Sequence, residues 1–310
     1  MYKIHKEGKN KSREITFIVP LHRMHLKKFD LTFQSLLDSK IENISFKTIV
    51  VLNGQVRKEA ESYFLKELEK FSITLLKYDE EKTCSLARNI GYQEATTDIV
   101  IFLDGDVVLP INFFSSLDVY FSEMDNDPTI GGLCPVFALN TNIESRWQKY
   151  ENLEDARSLD SYRSGKYVSV LQGFCIIVRR SVFEEIGSFE RTFMASEDRE
   201  LAIRMMSAGY KILFMPDVKI LHLNPSKLKN IIKRKRWHAI GNAQLSLKYP
   251  EFYNKTLLKR IEIIIKRPFQ IGLFDPFAYF YYWYVMSLYT AYFIYFRYKF
   301  KRGFTKTDRS

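Results

Sequence analysis

Cysteine is scarce in this chain. There are three in 310 residues, Cys84, Cys134 and Cys175, far apart and without C-x-x-C spacing. That argues against a disulfide framework or a thiolate zinc site and predicts a reduced, cytosolic compartment. No internal repeat or low-complexity stretch is present. The first twenty residues are basic and polar before an apolar run that soon meets Pro20 and His22, so the core of a signal peptide is missing and export is not expected. Uncharged runs as long as a membrane span are also absent, with one exception at 276–296.

Acidic residues are scarce only at one end. Residues 226–310 carry 18 Lys and Arg against 4 Asp and Glu, whereas residues 1–225 carry 29 against 32. The formal net charge of +11 therefore belongs to the last part of the chain, and the slightly negative remainder shows no nucleic-acid-binding module. The composition shift predicts a boundary, with a catalytic domain over 1–225 and a basic, aromatic helical extension over 226–310.

From Ile15 to about Leu223, short apolar runs alternate with longer mixed segments. ITFIVPL, FKTIVVLNG, ITLLKYD and IVIFL have the β-branched content of buried strands, and LTFQSLLDS, VRKEAESYFLKELEKF and CSLARNIGYQEATT have helical spacing. This alternation predicts an α/β fold with a mostly parallel sheet flanked by helices. Ligands of such sheets sit at the carboxyl ends of the strands, which directs attention to Pro20, Asn53, Asp79 and Asp104-Gly105-Asp106.

Three groups there can carry chemistry. The carboxylates of Asp104 and Asp106 are hard oxygen ligands suited to Mg²⁺ or Mn²⁺, although such a pair in a turn is commonly only a solvated cap. Glu197-Asp198 opens a predicted helix closed by Gly209. Capping behind Ser196 explains it as readily as a general base does. His222 ends an apolar run, where a histidine is either structural or a metal ligand.

Taken together, CSLARNIG at 84–91, FLDGDVVLP at 102–110, QGFCIIVRRSVFEEIGSF at 172–189 and SEDRELAIRMMSAGYKILFMPDVKILH at 196–222 are in an order and spacing that resembles the family 2 glycosyltransferases of the GT-A fold. The resemblance covers residues 15–225. It implies a Rossmann-like, nucleotide-diphospho-sugar transferase fold and metal-dependent, inverting sugar transfer from a nucleotide-sugar donor to a hydroxyl of a glycan or lipid-linked acceptor. By this resemblance Asp104 contacts the ribose, and Asp106 holds a divalent cation (Mn²⁺ or Mg²⁺) with His222 completing its shell. Asp198 is the catalytic base, with Glu197 a close alternative, and Arg88 and Asn89 line the nucleotide pocket. Two departures concern the base. Val51-Leu52-Asn53-Gly54 replaces an acidic turn, and Leu21-His22 replaces Tyr-Asn. Asp79 keeps a carboxylate where a uracil edge could be met, which favours a UDP-sugar. A nucleotidyltransferase on a related fold would usually carry a glycine-rich loop after the first strand, and IVPLHRMHLKK has none. A basic membrane- or nucleic-acid-binding module retaining the fold would not need Asp106, Asp198 and His222 together.

Residues 226–268 are expected to form amphipathic basic helices, and 276–296, PFAYFYYWYVMSLYTAYFIYF, carries no charge. Its length is that of a membrane span, yet its tyrosines suit an interface. Three readings stay open: peripheral contact with the cytoplasmic membrane face, a span, or packing on the catalytic domain or in a homodimer. The acceptor is expected near Thr141 to Lys166, with Arg146, Trp147 and Tyr150 as candidates.

Overall fold

The computed structural model describes residues 13–22, 26–54, 62, 66, 73–78, 83–157, 162–271 and 275–303. The helix expected over 56–71 falls almost wholly outside them. Ten strands form one sheet: β1 (Arg13–His22), β2 (Ile44–Asn53), β3 (Ile73–Tyr78), β4 (Ile99–Leu103), β5 (Val107–Val108), β6 (Ile130–Phe137), β7 (Arg163–Ser164), β8 (Tyr167–Val168), β9 (Cys175–Arg179) and β10 (Lys211–His222). Their order is β3-β2-β1-β4-β9-β6-β10-β8-β7, with β5 paired to β10. Strands β3, β2, β1 and β4 are parallel, as are β6 and β10, and β9 runs antiparallel between the two groups.

The helices are α1 (Leu26–Asp38), α2 (Cys84–Gln93), α3 (Phe113–Asn126), α4 (Arg146–Ala156), α5 (Arg180–Ile186), α6 (Glu197–Ser207), α7 (Leu228–Lys248), α8 (Pro250–Ile271), α9 (Pro276–Phe280) and α10 (Ser287–Lys301), the last two joined by a π-helical turn at Tyr281–Met286. Every residue of β4 is buried, because a central strand covered on both faces has no polar side to offer. Its side chains alternate between two apolar cores, Ile99, Ile101 and Leu103 in one and Val100 and Phe102 in the other. Burial contributes roughly 1.5–3 kcal/mol for each large side chain. β10 is one strand that runs past Pro216 to His222, with an irregularity between Met215 and Lys219. Pro216 has no N–H to give a ladder, so the strand continues past it only by breaking register.

The basic segments form α7 and α8 as expected. The uncharged segment packs inward. Tyr281, Tyr282, Val285 and Met286 are buried with Tyr150 of α4 and Ile231 of α7, and Phe293 and Phe296 pack on Ala239, Ile240 and Ala243. Among the described residues no helix is long and apolar enough to cross a membrane. Trp147, Tyr150 and Arg146 serve this packing. Trp147 meets Phe277 at 4.6 Å between ring centroids, the Tyr150 hydroxyl donates to Asp275 at 2.5 Å, and Arg146 pairs with Asp275 at 2.6 Å. None of the three lines the large cavity described below.

Among the described residues, one set of large apolar side chains is exposed. Leu258, Ile261, Ile265 and Phe269 form an exposed stripe along α8, and Phe280, Trp283, Tyr284, Ile294, Tyr295 and Tyr298 continue it along the last helices. Tyr279 joins the two parts, 5.4 Å from both Phe269 and Trp283.

Candidate functional site

The chain leaves β4 directly into Asp104-Gly105-Asp106. The Asp104 amide donates to the Phe174 carbonyl at 3.0 Å, and α1 fixes the residues beyond the turn, Thr32 Oγ1 and Ser35 Oγ accepting from the amides of Val107 and Leu109. A Cβ at Gly105 would stand 2.2 Å from Leu21 Cδ2, so the end of that leucine would have to shift to admit one. β5 pairs antiparallel with the end of β10, His222 opposite Val107, which delivers the histidine from the far side of the sheet to Asp106. His222 Nε2 lies 3.4 Å from Asp106 Oδ1.

One potential ligand atom each of Asp104, Asp106 and His222 lies within 4.8 Å of the others, a spacing a metal ion can bridge. The donor set, two carboxylates and an imidazole, fits a divalent cation of the Mn²⁺ or Mg²⁺ type. The imidazole tautomer is set by its neighbours. Asn224 Nδ2 donates to Asn152 and Asp155 at 2.7 and 2.8 Å, so its Oδ1 is an acceptor and His222 Nδ1–H donates to it at 2.6 Å. Nε2 is then the ring nitrogen that faces Asp106, and it would be the one to ligate a bound cation. Burial would raise the Asp106 carboxyl, but His222 and Lys28, the latter 3.4 Å away, outweigh it and hold it well below its usual range. Burial raises Asp104 more than the adjacent Arg88 lowers it.

Arg88, on α2 and only 1% exposed, is the hub of the floor. Its Nη2 donates to Asp104 at 2.8 Å and to the Gly173 carbonyl at 2.7 Å, and its Nη1 to Glu197 at 2.5 Å. The Gly173 amide in turn donates to Asp198 Oδ2 at 2.8 Å, and the Arg199 amide to Oδ1 at 2.8 Å. Ser196, before these acids, does not cap the helix. It makes no capping bond with its side chain, adopts a left-handed φ of 62°, and donates instead to Asn242 of α7 at 3.3 Å. A non-glycine residue in that region stores strain, and here the twist sets Glu197 toward Arg88 and Asp198 toward open space.

That space is a cavity of about 410 Å³ lined by Arg88, Asp104, Asp106, Glu197, Asp198 and His222, with Arg199, Arg234, His238 and Asn242 among its other walls. Six of the sequence-predicted residues thus meet around one void. Asn89 does not. It is buried and clamps Phe189, donating to its carbonyl at 2.7 Å and accepting from its amide at 3.0 Å. Pro20 lies within β1 and is not among the lining residues. Asn53 ends β2, its side chain outside the described residues, and Asp79 lies outside them altogether.

Sequence reasoning missed several walls. Arg234, His238 and Asn242 recur at i, i+4 and i+8 on α7, a polar stripe concealed within a run of lysines and arginines. Arg234 Nη2 holds Asp155 at 2.7 Å, and Asp155 is kept below its usual range because Arg234 and Lys235 outweigh its burial. Residues on both sides of the compositional boundary at 225/226 build this cavity.

The family described as glycosyltransferase like family 2 matches residues 26–239. A pre-mycofactocin glycosyltransferase of Mycobacterium tuberculosis is 28% identical over 183 residues, 58% of this chain and 38% of that one. An N-acetylglucosaminyl-diphospho-decaprenol L-rhamnosyltransferase of the same organism is 42% identical over 60 residues, 19% of this chain and 20% of that one. The chain therefore spans well under half the length of these relatives. Among solved structures, a mannosyltransferase of Pyrobaculum calidifontis in complex with GDP-Man and Mn²⁺ shares the fold at a TM-score of 0.57 and 16% identity, covering 94% of this chain and 76% of that one.

Proposed function

The chain belongs to the glycosyltransferase-like family 2, and from that premise we propose that it transfers a sugar, with inversion and with a divalent cation, from a nucleotide-sugar donor to a hydroxyl of a glycan or lipid-linked acceptor. One observation carries the proposal. The Asp104–Asp106–His222 corner and the Asp198 carboxylate line the same cavity. Asp106 and His222 would hold the cation, with Asp104 beside them at the ribose. When bound, the ion supplies Lewis-acid stabilisation of the charge that develops on a departing nucleoside diphosphate.

The chain's own groups perform the remainder. Arg88 orients Asp104 and draws Glu197 aside, which leaves Asp198 as the carboxylate aimed into the void. Asp198 takes the proton of the acceptor hydroxyl as its oxygen attacks the anomeric carbon, and the bond from that carbon to the diphosphate oxygen breaks on the opposite side. No covalent enzyme intermediate is needed. The uridine preference rests on Asp79, and GDP-Man in the fold relative keeps guanosine in the comparison.

The exposed stripe fits peripheral attachment to the cytoplasmic face of a membrane. Its aromatic residues suit the headgroup level, and the basic extension suits anionic lipid. A homodimer burying the stripe is the competing occupant, and bilayer binding separates the two. The central experiment is a thermal-shift screen of UDP- and GDP-sugars with and without Mn²⁺. Metal-dependent stabilisation by a nucleotide sugar is expected, and none with any nucleotide would overturn the proposal.

A further inference from the structure

A second cavity, of about 120 Å³, adjoins the first and shares Asp155, Tyr162, Arg199 and His238 as walls. Neither Asp104, Asp106 nor His222 lines it. Among the described residues its cations are Arg157, Arg199, Lys235, Lys259, Arg260 and Arg267, and its carboxylates are Glu154 and Asp155. Those carboxylates are already engaged, Glu154 by Arg267 at 3.3 Å and Asp155 by Arg234 at 2.7 Å. Lys235 pairs with Glu151 at 2.9 Å. Among the described residues, no carboxylate lies within ion-pair distance of Arg199 or Arg260.

Arg260 is the most unusual of these groups. It is 3% exposed, and its guanidinium lies 4.0 and 4.1 Å from the ring centres of Tyr289 and Phe293. Nη2 donates to the Tyr289 hydroxyl at 2.9 Å, while Nε and Nη1 have no hydrogen-bond partner. The ring faces offset part of the cost of burying this charge, but two N–H-bearing nitrogens remain unpaired. Cations outnumber carboxylates among the described residues around it. Burial would raise the Tyr162 hydroxyl, yet Arg199 and Lys259 pull it below its usual value, and Lys259 itself is lowered by burial and by Arg199.

We infer that this cationic annex binds the phosphate or diphosphate group of the acceptor. Several N–H donors around a small void match an anion with several acceptor oxygens. Assignment to the acceptor rests on the proposed transferase reading. The donor's diphosphate belongs at the Asp106 corner, whereas the annex is reached past Arg199, the chain neighbour of the base Asp198. The group could come from a lipid diphosphate or from a phosphorylated soluble glycan. Helix α8 presents Lys259, Arg260 and Arg267 to the annex and Leu258, Ile261 and Ile265 to solvent on its other side.

The test is calorimetric titration of the full chain with inorganic pyrophosphate in EDTA, so that the metal corner contributes no cation. Binding is expected in the wild type. Arg260→Gln is expected to weaken it at least ~10-fold, the loss of one charge-assisted contact, while the unliganded variant melts no lower than wild type because an uncompensated buried charge is gone. Arg199→Gln gives a second variant on another helix. Farnesyl diphosphate binding tighter than pyrophosphate assigns a lipid-linked acceptor, and equal binding assigns a soluble one. Absence of pyrophosphate binding, or binding that neither variant weakens, overturns the inference. Mn²⁺-dependent nucleotide binding, measured in parallel, reports on the donor reading alone, so the two can fail separately.

Discussion

Arg88 and Glu197, 109 residues apart in the chain, meet at 2.5 Å beneath the cavity, and the same guanidinium holds Asp104 at 2.8 Å. The acidic pair at the start of α6 is thereby divided. Glu197 is an anchor tied to Arg88, and Asp198 is the carboxylate left to face substrate.

This division predicts unequal losses. Asp198→Asn is expected to lower kcat by about 10²–10⁴-fold with donor affinity little changed, since a general base contributes about that much. Glu197→Gln is expected to lower unfolding free energy while keeping kcat within about tenfold of wild type, a ceiling taken well below the range for a base. Steady-state kinetics alongside urea unfolding would separate the two, and equal losses in kcat would return the base role to Glu197.

Arg88→Met leaves the buried Glu197 carboxylate without its partner. A loss of about 3–5 kcal/mol in unfolding free energy is expected. Chemical denaturation of the purified variant measures it directly, and a change below about 1 kcal/mol, the size expected of an exposed pair, would contradict the hub assignment.

Gly173 joins Arg88 to Asp198 through its carbonyl and its amide, and a Cβ there would lie 3.1 Å from Asp198 Oδ2. Gly173→Ala is expected to keep the fold and reduce kcat by less than about 10²-fold, because Asp198 has to give by only a few tenths of an ångström, short of the 1 Å misplacement that costs that much. An unaltered kcat would mean that the base does not depend on this amide.

Glu200 is fully buried, pairs with Arg204 of its own helix at 2.8 Å and ties α6 to α7 through Lys248 at 2.7 Å. Its burial raises its pKa, but these partners outweigh that and hold it below the ordinary value. A depressed folded pKa means that the unfolded state binds the proton first, so this stabilisation is complete above the unfolded pKa of about 4.3 and fades as pH falls below it. Melting temperatures of wild type and Glu200→Gln should therefore differ most near neutrality and converge toward pH 3. A gap independent of pH would assign the effect to packing.

Attachment to lipid predicts that Trp283→Glu, on the exposed stripe, reduces co-sedimentation with vesicles containing anionic lipid and leaves the melting temperature within a few degrees of wild type, the span of about 1 kcal/mol. If wild type ignores vesicles and sediments as a dimer that Trp283→Glu dissociates, the stripe is a protein interface instead.

Legibility in the sequence tracks how local each signal is. The run Ile99–Leu103 into Asp104 and Asp106 needed only a strand's apolar continuity and the residues standing at its end. His222 needed the sheet's closing pair, β5 on β10, which two valines do not announce. Arg88 and Asn89 were read as one unit, but neighbours on a helix point about 100° apart, so one entered the cavity and the other turned to Phe189. The stripe of Arg234, His238 and Asn242 was periodic enough to find, yet their surroundings read as a solvated basic face. The partners that reveal it, Asp155 and Ser196, are tertiary.

Gly241, one residue before Asn242, faces the chain just ahead of the base. A Cβ on it would come within 2.1 Å of the Ala195 carbonyl oxygen, so α7 and the strained Ser196 turn touch backbone to backbone. Any trimming of this protein for study should respect that seam. A version cut at residue 225, where composition changes so visibly, would remove the surface against which Ala195 rests along with Arg234, His238 and Asn242. It would be expected to bind nucleotide poorly however well its sheet survived.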